Sequence, residues 1–117
     1  MTTAILSALP EEQSGLLARL EQGQRLVHAG RVFWCGNLHG HGVVLALSGI
    51  GKVAAATTAT LLIERFRVAR IVFTGVAGGV GEGVSVGDIV VAQDYVQHDM
   101  DASPLFDGWL VPGYAGV

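Results

Sequence analysis

The 117-residue sequence contains one cysteine, few charged residues (15%) and no long apolar run. Because Cys35 has no second cysteine to pair with, no internal disulfide can form, and a reducing, cytoplasmic compartment is expected. No apolar run approaches the roughly 20 residues that span a bilayer, so no membrane partner is expected. The N-terminus also lacks a basic segment followed by an apolar one, and we therefore expect no signal peptide.

Basic residues are few and scattered along the chain. Seven Lys and Arg residues stand against ten Asp and Glu residues, which gives a net charge of −3. A surface that binds nucleic acid needs a clustered basic face. We therefore expect no nucleic-acid partner.

Apolar residues and glycine are abundant. Half of the residues are hydrophobic, and the 17 glycines cluster at 75–87 and recur through 36–51. This composition is typical of a densely packed α/β or β-rich protein, and the chain is long enough for one core. We expect residues 1–117 to form a single domain in which the glycines mark tight turns.

The hydrophobic pattern predicts a strand, a helix, a group of antiparallel strands, a second helix and two further strands. A long loop is expected from residue 98 to the end. The helix at 53–66 is apolar almost all round, so it should be buried on more than one side. The order predicts a mixed α/β sheet. The predicted elements are strand 3–8, helix 10–22, strands 24–29, 31–38 and 43–47, helix 53–66, and strands 71–74 and 88–96.

Two adjacent carboxylates, Glu11 and Glu12, follow the first strand directly after Pro10. In an open α/β sheet, ligands usually bind beyond the carboxyl ends of the strands, and a carboxylate there can act as a general base. Proline and glutamate also suit the first turn of a helix. This segment alone therefore leaves a catalytic and a structural interpretation open, and favours the structural one.

Two glycine-rich segments follow later strands. The segment Ser48-Gly49-Ile50-Gly51-Lys52 has Ala46 and Val53 where a Walker loop needs Gly and Ser or Thr. It fits a dinucleotide fingerprint, but the next strand is not followed by the required acidic residue, so we do not expect nicotinamide binding. The small residues of Thr74-Gly75-Val76-Ala77-Gly78-Gly79 could let a flat ring lie on the backbone, or could simply form a crowded turn.

The remaining polar residues form no recognisable catalytic or metal pattern. The segment His98-Asp99-Met100-Asp101 lacks a second cluster at a standard ligand spacing, and His39 and His41 are expected to be solvated in a turn. No Gly-x-Ser-x-Gly elbow is present, and Cys35 lies in a predicted strand. We expect neither a metal nor another cofactor.

Several motifs together, in their order and spacing, resemble one family. The chain looks like the N-terminal half of the 5′-methylthioadenosine/S-adenosylhomocysteine nucleosidases, within the nucleoside phosphorylase superfamily. The resemblance implies a mixed αβα sandwich that is incomplete at its C-terminus, and usually a homodimer. The motifs are Ala8-Leu9-Pro10-Glu11-Glu12, Ser48-Gly49-Ile50-Gly51-Lys52-Val53-Ala54-Ala55-Ala56, Thr74-Gly75-Val76-Ala77-Gly78-Gly79, Val86-Gly87-Asp88-Ile89-Val90-Val91 and His98-Asp99-x-Asp101.

The resemblance also implies an activity, which is hydrolysis of the N-glycosidic bond of a 5′-thio-substituted adenosine with release of adenine. Glu12 matches the carboxylate that activates the attacking water, and Glu11 is left as the carboxylate of the helix start. Val76 stands where some members carry a serine that can hydrogen-bond near this water, and a valine side chain cannot form that bond. The implied substrate-binding residues are Gly78, Ile50, Leu9, Val76, Ala77, Phe106 and Pro112, of which Phe106 and Pro112 fall near positions lent to the neighbouring subunit.

Two alternatives remain open. A phosphorylase of the same superfamily often has a Gly-Asp-Pro loop with a nearby arginine after the first strand, whereas this chain has Pro10-Glu11-Glu12 and its first arginine is Arg19. A non-catalytic purine-binding or interaction chain is the other alternative, because the family's general acid and ribose-binding Met-Glu pair belong to a C-terminal half. The 5′-substituent is also open among methylthioadenosine, adenosylhomocysteine, 5′-deoxyadenosine and futalosine-type nucleosides.

Overall fold

A computed structural model describes residues 1–106 and 108. The chain forms two compact units, Met1–Gly78 and a second unit that begins at Gly79. No helix in the described ranges is long and apolar enough to cross a membrane. The first unit contains the strands β1 (Thr3–Ser7), β2 (Glu21–His28), β3 (Arg31–Leu38), β4 (His41–Leu47) and β5 (Arg70–Phe73), and the helices α1 (Pro10–Leu17) and α2 (Lys52–Glu64).

The five strands form one sheet in the order β2-β3-β4-β1-β5. β1 pairs in parallel with both β4 and β5, whereas β2, β3 and β4 form an antiparallel meander. The predicted mixed sheet is therefore confirmed. Because β4, β1 and β5 run in the same direction, their carboxyl ends lie at one edge of the sheet, where open α/β sheets bind ligands.

The meander is closed by two-residue turns. Ala29 and Gly30 connect β2 to β3 with φ angles of 50° and 71°, and His39 and Gly40 connect β3 to β4 with φ angles of 49° and 78°. Positive φ at both central residues gives a turn whose twist matches that of the flanking strands. His39 and His41 are exposed, as predicted.

The core lies between the sheet and α2. Successive residues of a strand face opposite sides, so alternate residues of β1, β3 and β4 meet α2 while the others face α1. Coverage of both faces explains why β4 is buried continuously from Val43 to Ala46. The core cluster consists of Ala4, Leu6, Phe33, Val44, Ala46 and Leu62.

The first helix is shorter than predicted, because α1 ends at Leu17 instead of continuing to residue 22. β2 begins earlier than predicted, at Glu21, which pairs with Asn37 of β3. Leu20 was expected on the apolar face of the helix. It lies over Gly36 instead, where an added Cβ would come within 2.8 Å of Leu20 Cγ. The end of the helix is thus determined by pairing with a distant strand.

The second helix forms as predicted, but its predicted burial on more than one side is wrong. Thr58 and Leu62 are its buried residues, whereas Val53 is 82% exposed and Ile63 is 51% exposed. Only the face that packs on the sheet is covered, so apolar side chains on the other faces remain in contact with solvent.

The predicted strand at 88–96 is also wrong. The structure has no helix or strand in residues 79–106, and Val86, Ile89 and Val91 are exposed. Asp88 enters a local turn, in which its Oδ2 accepts the Ser85 N–H at 2.8 Å and its own N–H donates to the Ser85 carbonyl at 3.1 Å. An apolar, β-branched segment becomes a strand only when a neighbour supplies hydrogen bonds.

The predicted loop from residue 98 onward agrees with the structure as far as Phe106, since these residues form turns and irregular backbone. The later residues of that loop, among them Trp109, Pro112 and Tyr114, lie outside the described residues. The prediction that residues 1–117 form the N-terminal half of a single nucleoside phosphorylase-like domain stays a prediction.

Candidate active site

Glu12 is bound to the start of its own helix. Pro10 begins α1 after Leu9, which has the extended backbone of an N-cap residue. Oε2 of Glu12 accepts the N–H groups of Ala8 at 2.9 Å and Leu9 at 2.8 Å. A glutamate at the third helical position reaches back in this way to satisfy N–H groups that have no helical partner. Glu11 and Glu12 both lie in the first turn of α1, as expected for carboxylates of a helix start, and Glu12, at the third helical position, is the one that binds these N–H groups.

The other oxygen of Glu12 contacts the loop after β5. Oε1 accepts the N–H of Val76 at 3.0 Å. The pKa of Glu12 is lowered, first by the hydrogen bond from Val76 and then by the one from Leu9; the Ala8 bond adds to them, and partial burial opposes them. Hydrogen bonds to the charged form stabilise it. Glu12 is thus an ionised carboxylate at neutral pH, bound to two separate loops.

The contact from Val76 shows what a valine at this position can donate to Glu12. Valine has no hydroxyl, and the contact with Glu12 comes from its main-chain N–H. Val76 therefore offers Glu12 a main-chain donor and no side-chain donor.

A set of hydrogen bonds joins the ends of the three parallel strands. The hydroxyl oxygens of Ser7 and Thr74 lie 3.0 Å apart at the ends of β1 and β5, and the Thr74 N–H donates to the Leu6 carbonyl at 2.9 Å. Ser48, just after β4, donates its N–H to the Ser7 carbonyl at 2.8 Å. Ser7 and Ser48 are buried. Sequence analysis did not identify Ser7, although a polar residue that closes an apolar strand is the signal that marks it.

Gln13 is a second residue that sequence analysis missed. Its side chain is buried, and Nε2 donates to the carbonyl oxygens of Ile5 at 3.2 Å and Ala46 at 2.9 Å. These bonds attach α1 to β1 and β4, and so help to position the neighbouring Glu12. A glutamine within an amphipathic helix carries no pattern that distinguishes a buried position from a solvated one.

Five of the implied substrate-binding residues lie on loops at the same edge of the sheet. Leu9 follows β1, Ile50 follows β4, and Val76, Ala77 and Gly78 follow β5. Ile50 is 80% exposed and Val76 is 90% exposed. The topology thus places exposed apolar groups at the same edge of the sheet as the Glu12 carboxylate, and a site for a partly apolar ligand requires such groups.

The glycines beside Ile50 shape its loop. Gly49 and Gly51 have φ angles of 75° and 100°, which residues other than glycine rarely adopt. The guanidinium of Arg31 donates to the Ser48 carbonyl at 2.9 Å and holds the start of the loop against β3.

Two predicted residues are not placed with this group. Phe106 belongs to the unit that begins at Gly79, and Pro112 lies outside the described residues. Their assignment to the substrate pocket remains a prediction.

The described residues give no metal site and no reactive thiol. Groups of three or more His, Cys, Asp or Glu side chains that could hold a metal do not occur in the ranges that the structure covers. Burial raises the pKa of the Cys35 thiol in β3, which makes its nucleophilic thiolate form less accessible.

A cavity of about 390 Å³ lies beside α1 but does not include Glu12. Its walls are formed by Gln13 and Leu17 of α1, by Trp34 of β3 and by the Ser48–Gly49 segment after β4. Glu12 is not among its lining residues, so the cavity does not by itself mark the carboxylate site.

An open α/β sheet with an ionised carboxylate at its parallel strand ends is typical of proteins that bind small molecules there. The family described as the phosphorylase superfamily matches residues 2–115 of this sequence. The chain therefore belongs to the phosphorylase superfamily.

The resemblance to nucleosidases within that superfamily is confirmed. A 5′-methylthioadenosine/S-adenosylhomocysteine nucleosidase of Oceanobacillus iheyensis is 44% identical over 103 residues, which cover 88% of this chain and 45% of the relative. The solved nucleosidase of Colwellia psychrerythraea in complex with adenine superposes with a TM-score of 0.93 at 40% identity, over 96% of this chain and 47% of that one.

A second solved relative agrees with the first. The nucleosidase of S. pneumoniae with the transition-state inhibitor MT-ImmA superposes with a TM-score of 0.92 at 36% identity, over 97% of this chain and 50% of that one. The predicted fold of nucleoside phosphorylase type is thus confirmed. The chain spans about half the length of the curated relatives it matches.

Proposed function

We propose that this chain contributes Glu12 to a purine nucleosidase that hydrolyses the N-glycosidic bond of 5′-methylthioadenosine or S-adenosylhomocysteine and releases adenine. The observation that carries this proposal is the Glu12 carboxylate, which is held ionised by three main-chain N–H groups at the ligand-binding edge of the sheet. The relatives support the choice of substrate, because one solved nucleosidase holds adenine and another a transition-state inhibitor.

An ionised carboxylate suits the chemistry of glycoside cleavage. As the bond to the purine breaks, positive charge develops on the ribose in an oxocarbenium-like transition state. Glu12 would orient the attacking water, accept its proton as the new bond forms, and stabilise the developing charge.

We further propose that the attacking water binds to one particular oxygen of Glu12. A carboxylate has about four lone-pair positions, two on each oxygen. The N–H groups of Ala8 and Leu9 use both positions of Oε2, whereas the N–H of Val76 uses one position of Oε1. We therefore place the attacking water on the remaining position of Oε1.

Substitution of Glu12 tests this proposal. We expect Glu12→Gln to lower the rate of adenine release from methylthioadenosine by about 10²–10⁴-fold, the usual contribution of a positioned general base. The assay uses the protein expressed from the complete reading frame that contains this sequence. Glu11→Gln is the matched control, because Glu11 is an exposed neighbour in the same helical turn, and its rate should stay near that of the wild type.

Two results of that assay would contradict the proposal. Turnover of Glu12→Gln near the wild-type rate would refute the role of Glu12. Cleavage that requires added phosphate would instead identify a phosphorylase of the same superfamily.

For the 117-residue chain by itself we expect little or no adenine release, because the family's general acid and ribose-binding pair belong to a C-terminal half. Multiple turnovers by that chain alone would contradict this expectation.

We also propose that the protein acts as a cytoplasmic homodimer in methionine salvage. Support comes from the resemblance, in which Phe106 and Pro112 fall near positions that enter the neighbouring subunit's pocket. Analytical ultracentrifugation of the active protein measures its mass directly. A fully active monomer at the assay concentration would rule out the dimer and the shared pocket.

A further inference from the structure

We propose that Gly75 is a positioning residue for Glu12, because the missing side chain at residue 75 leaves the space in which Oε1 reaches the Val76 N–H. The packing of the Glu12 carboxylate against Gly75 is seen in the structure. The effect of Gly75 on catalysis rests on the proposed function of Glu12.

The space beside Gly75 is filled by the carboxylate. A Cβ added at Gly75 would lie 3.0 Å from Oε1 and 3.3 Å from Cδ of Glu12, and 3.2 Å from Cε1 of Phe73. Separations of 3.0–3.4 Å are tighter than nine in ten Cβ contacts in proteins, so a neighbouring group has to shift by a few tenths of an ångström. Gly75 is absent from the residues with positive φ, so alanine can adopt the same backbone, and space is the only constraint.

The backbone at residue 75 cannot easily retreat from an added methyl group. Thr74, the preceding residue, is bound to β1 through its N–H to the Leu6 carbonyl and through its hydroxyl contact with Ser7. The ring of Phe73 is 57% exposed and can turn toward solvent. The group that must move is therefore the Glu12 carboxylate.

A displaced carboxylate loses its bond to Val76 first. Oε2 is held by two N–H groups on the Ala8–Leu9 segment, whereas Oε1 has the single bond from Val76. The Val76 nitrogen is joined to residue 75 by the peptide bond. When the Glu12 carboxylate moves away from a Cβ added at residue 75, it therefore also moves away from the Val76 N–H, and this hydrogen bond lengthens. The groups that shift the pKa of Glu12 are main-chain N–H groups and burial, so loss of the Val76 bond should raise that pKa.

The neighbouring glycines show that this role is particular to Gly75. A Cβ added at Gly78 would meet nothing within 4 Å, and one added at Gly79 would meet Val84. Within this glycine-rich segment, only Gly75 faces the carboxylate. Gly75 is thus the glycine of this segment whose lack of a side chain leaves room for the Glu12 carboxylate.

The test is an NMR titration of the 117-residue chain with labelled Glu side-chain carboxyls and backbone amides. In the wild type, the amide of Val76 should shift with the same midpoint as the Glu12 carboxyl, because the two groups share a hydrogen bond. In Gly75→Ala, the midpoint of Glu12 should move upward, and the Val76 amide should lose most of its pH-dependent shift.

Gly15→Ala is the matched control, because it adds the same methyl group to α1, the helix of Glu12, at a position with nothing within 4 Å. It should titrate like the wild type. An unchanged Glu12 midpoint in a folded Gly75→Ala would overturn the proposal. A wild-type Val76 amide that does not follow Glu12 would also overturn it, even if the variant does not fold.

The pH dependence of kcat/KM, measured on the protein expressed from the complete reading frame, tests the effect of Gly75 on catalysis. If Glu12 acts in its ionised form, Gly75→Ala should move the acidic limb of the kcat/KM profile to higher pH, in step with the NMR midpoint. A displaced NMR midpoint with an unmoved acidic limb would refute the catalytic consequence while the contact stands. Failure of the proposed function is detected separately, by the activity of Glu12→Gln.

Discussion

The unit Met1–Gly78 and the segment 79–106 are both rich in valine and glycine, yet they differ in structure. Val43 and Val44 are buried in β4, which is paired with β3 on one side and β1 on the other. Val80 and Val86 are fully exposed in backbone that forms no strand. The residue type is the same in both cases, so burial depends on the presence of paired strands and a covering helix.

The polar groups differ between the two regions in the same way. In the first unit, Gln13 and Glu12 bind main-chain groups far away in the sequence, in β4 and in the loop after β5. In the second region, Asp88 and Asp101 bind residues two or three positions away. Unfolding of the first unit therefore breaks its polar contacts, whereas a local turn can persist without tertiary structure.

The largest expected effect tests this difference with one substitution in each region. Phe33→Ala should destabilise the chain by about 3–5 kcal/mol, the usual cost of removing a buried aromatic side chain. Phe33 is fully buried, and its ring lies 4.6 Å from that of Phe66. Phe106→Ala makes the same chemical change at a partly exposed position and should cost within about 0.5 kcal/mol. Urea unfolding measures both, and equal losses would remove the contrast between the regions.

A smaller effect is expected for the buried amide of α1. Gln13→Met keeps the length of the side chain but removes both N–H donors, and it should cost roughly 1–3 kcal/mol because buried carbonyl groups lose a partner. Gln93→Met in the second region is the matched control, since Gln93 is exposed and the change should be close to neutral. Thermal unfolding followed by circular dichroism compares the two variants. A neutral Gln13→Met would mean that α1 is held by its apolar contacts alone.

The start of α1 could be predicted from the sequence, whereas its end could not. Pro10 and the glutamates after it favour a helix start through local chemistry. The helical pattern continues to residue 22, but Glu21 pairs with Asn37 and joins β2. The strand predicted at 88–96 fails for the converse reason, because a suitable local pattern has no pairing partner. Local signals predict which segments are apolar, but strand pairing decides where elements begin and end.

The same distinction applies to the site. Glu12 could be identified because a carboxylate after an apolar strand is visible in the side-chain sequence. Its partner at Val76 could not, because every residue except proline has a main-chain N–H and only the fold brings this one within 3.0 Å. The position of Ser7 at the end of an apolar strand is visible in the sequence, but its contact with Thr74 is not, because that contact depends on β1 lying next to β5.

The smallest expected effect concerns the pH dependence of stability. In the folded chain the pKa of Glu12 lies below its ordinary value of 4.5, so the native state binds this proton less strongly than the unfolded state does. The contribution of Glu12 to stability is therefore fully present above about pH 4.5 and is lost as the pH falls through the folded pKa. We expect the difference in unfolding free energy between the wild type and Glu12→Gln to shrink below pH 4.5, as measured by urea unfolding at a series of pH values.

Asp101 supplies the control from the other region. Its pKa is also lowered, first by the hydroxyl of Ser103 and then by the N–H of the same residue. Both donors lie two positions away, so the contact can form in the unfolded chain as well, and Asp101→Asn should leave the pH dependence of unfolding unchanged. If Asp101→Asn altered that dependence as much as Glu12→Gln, the turn at Asp101 would belong to the cooperative structure. The contrast between long-range contacts in the first unit and local contacts in the second would then fail.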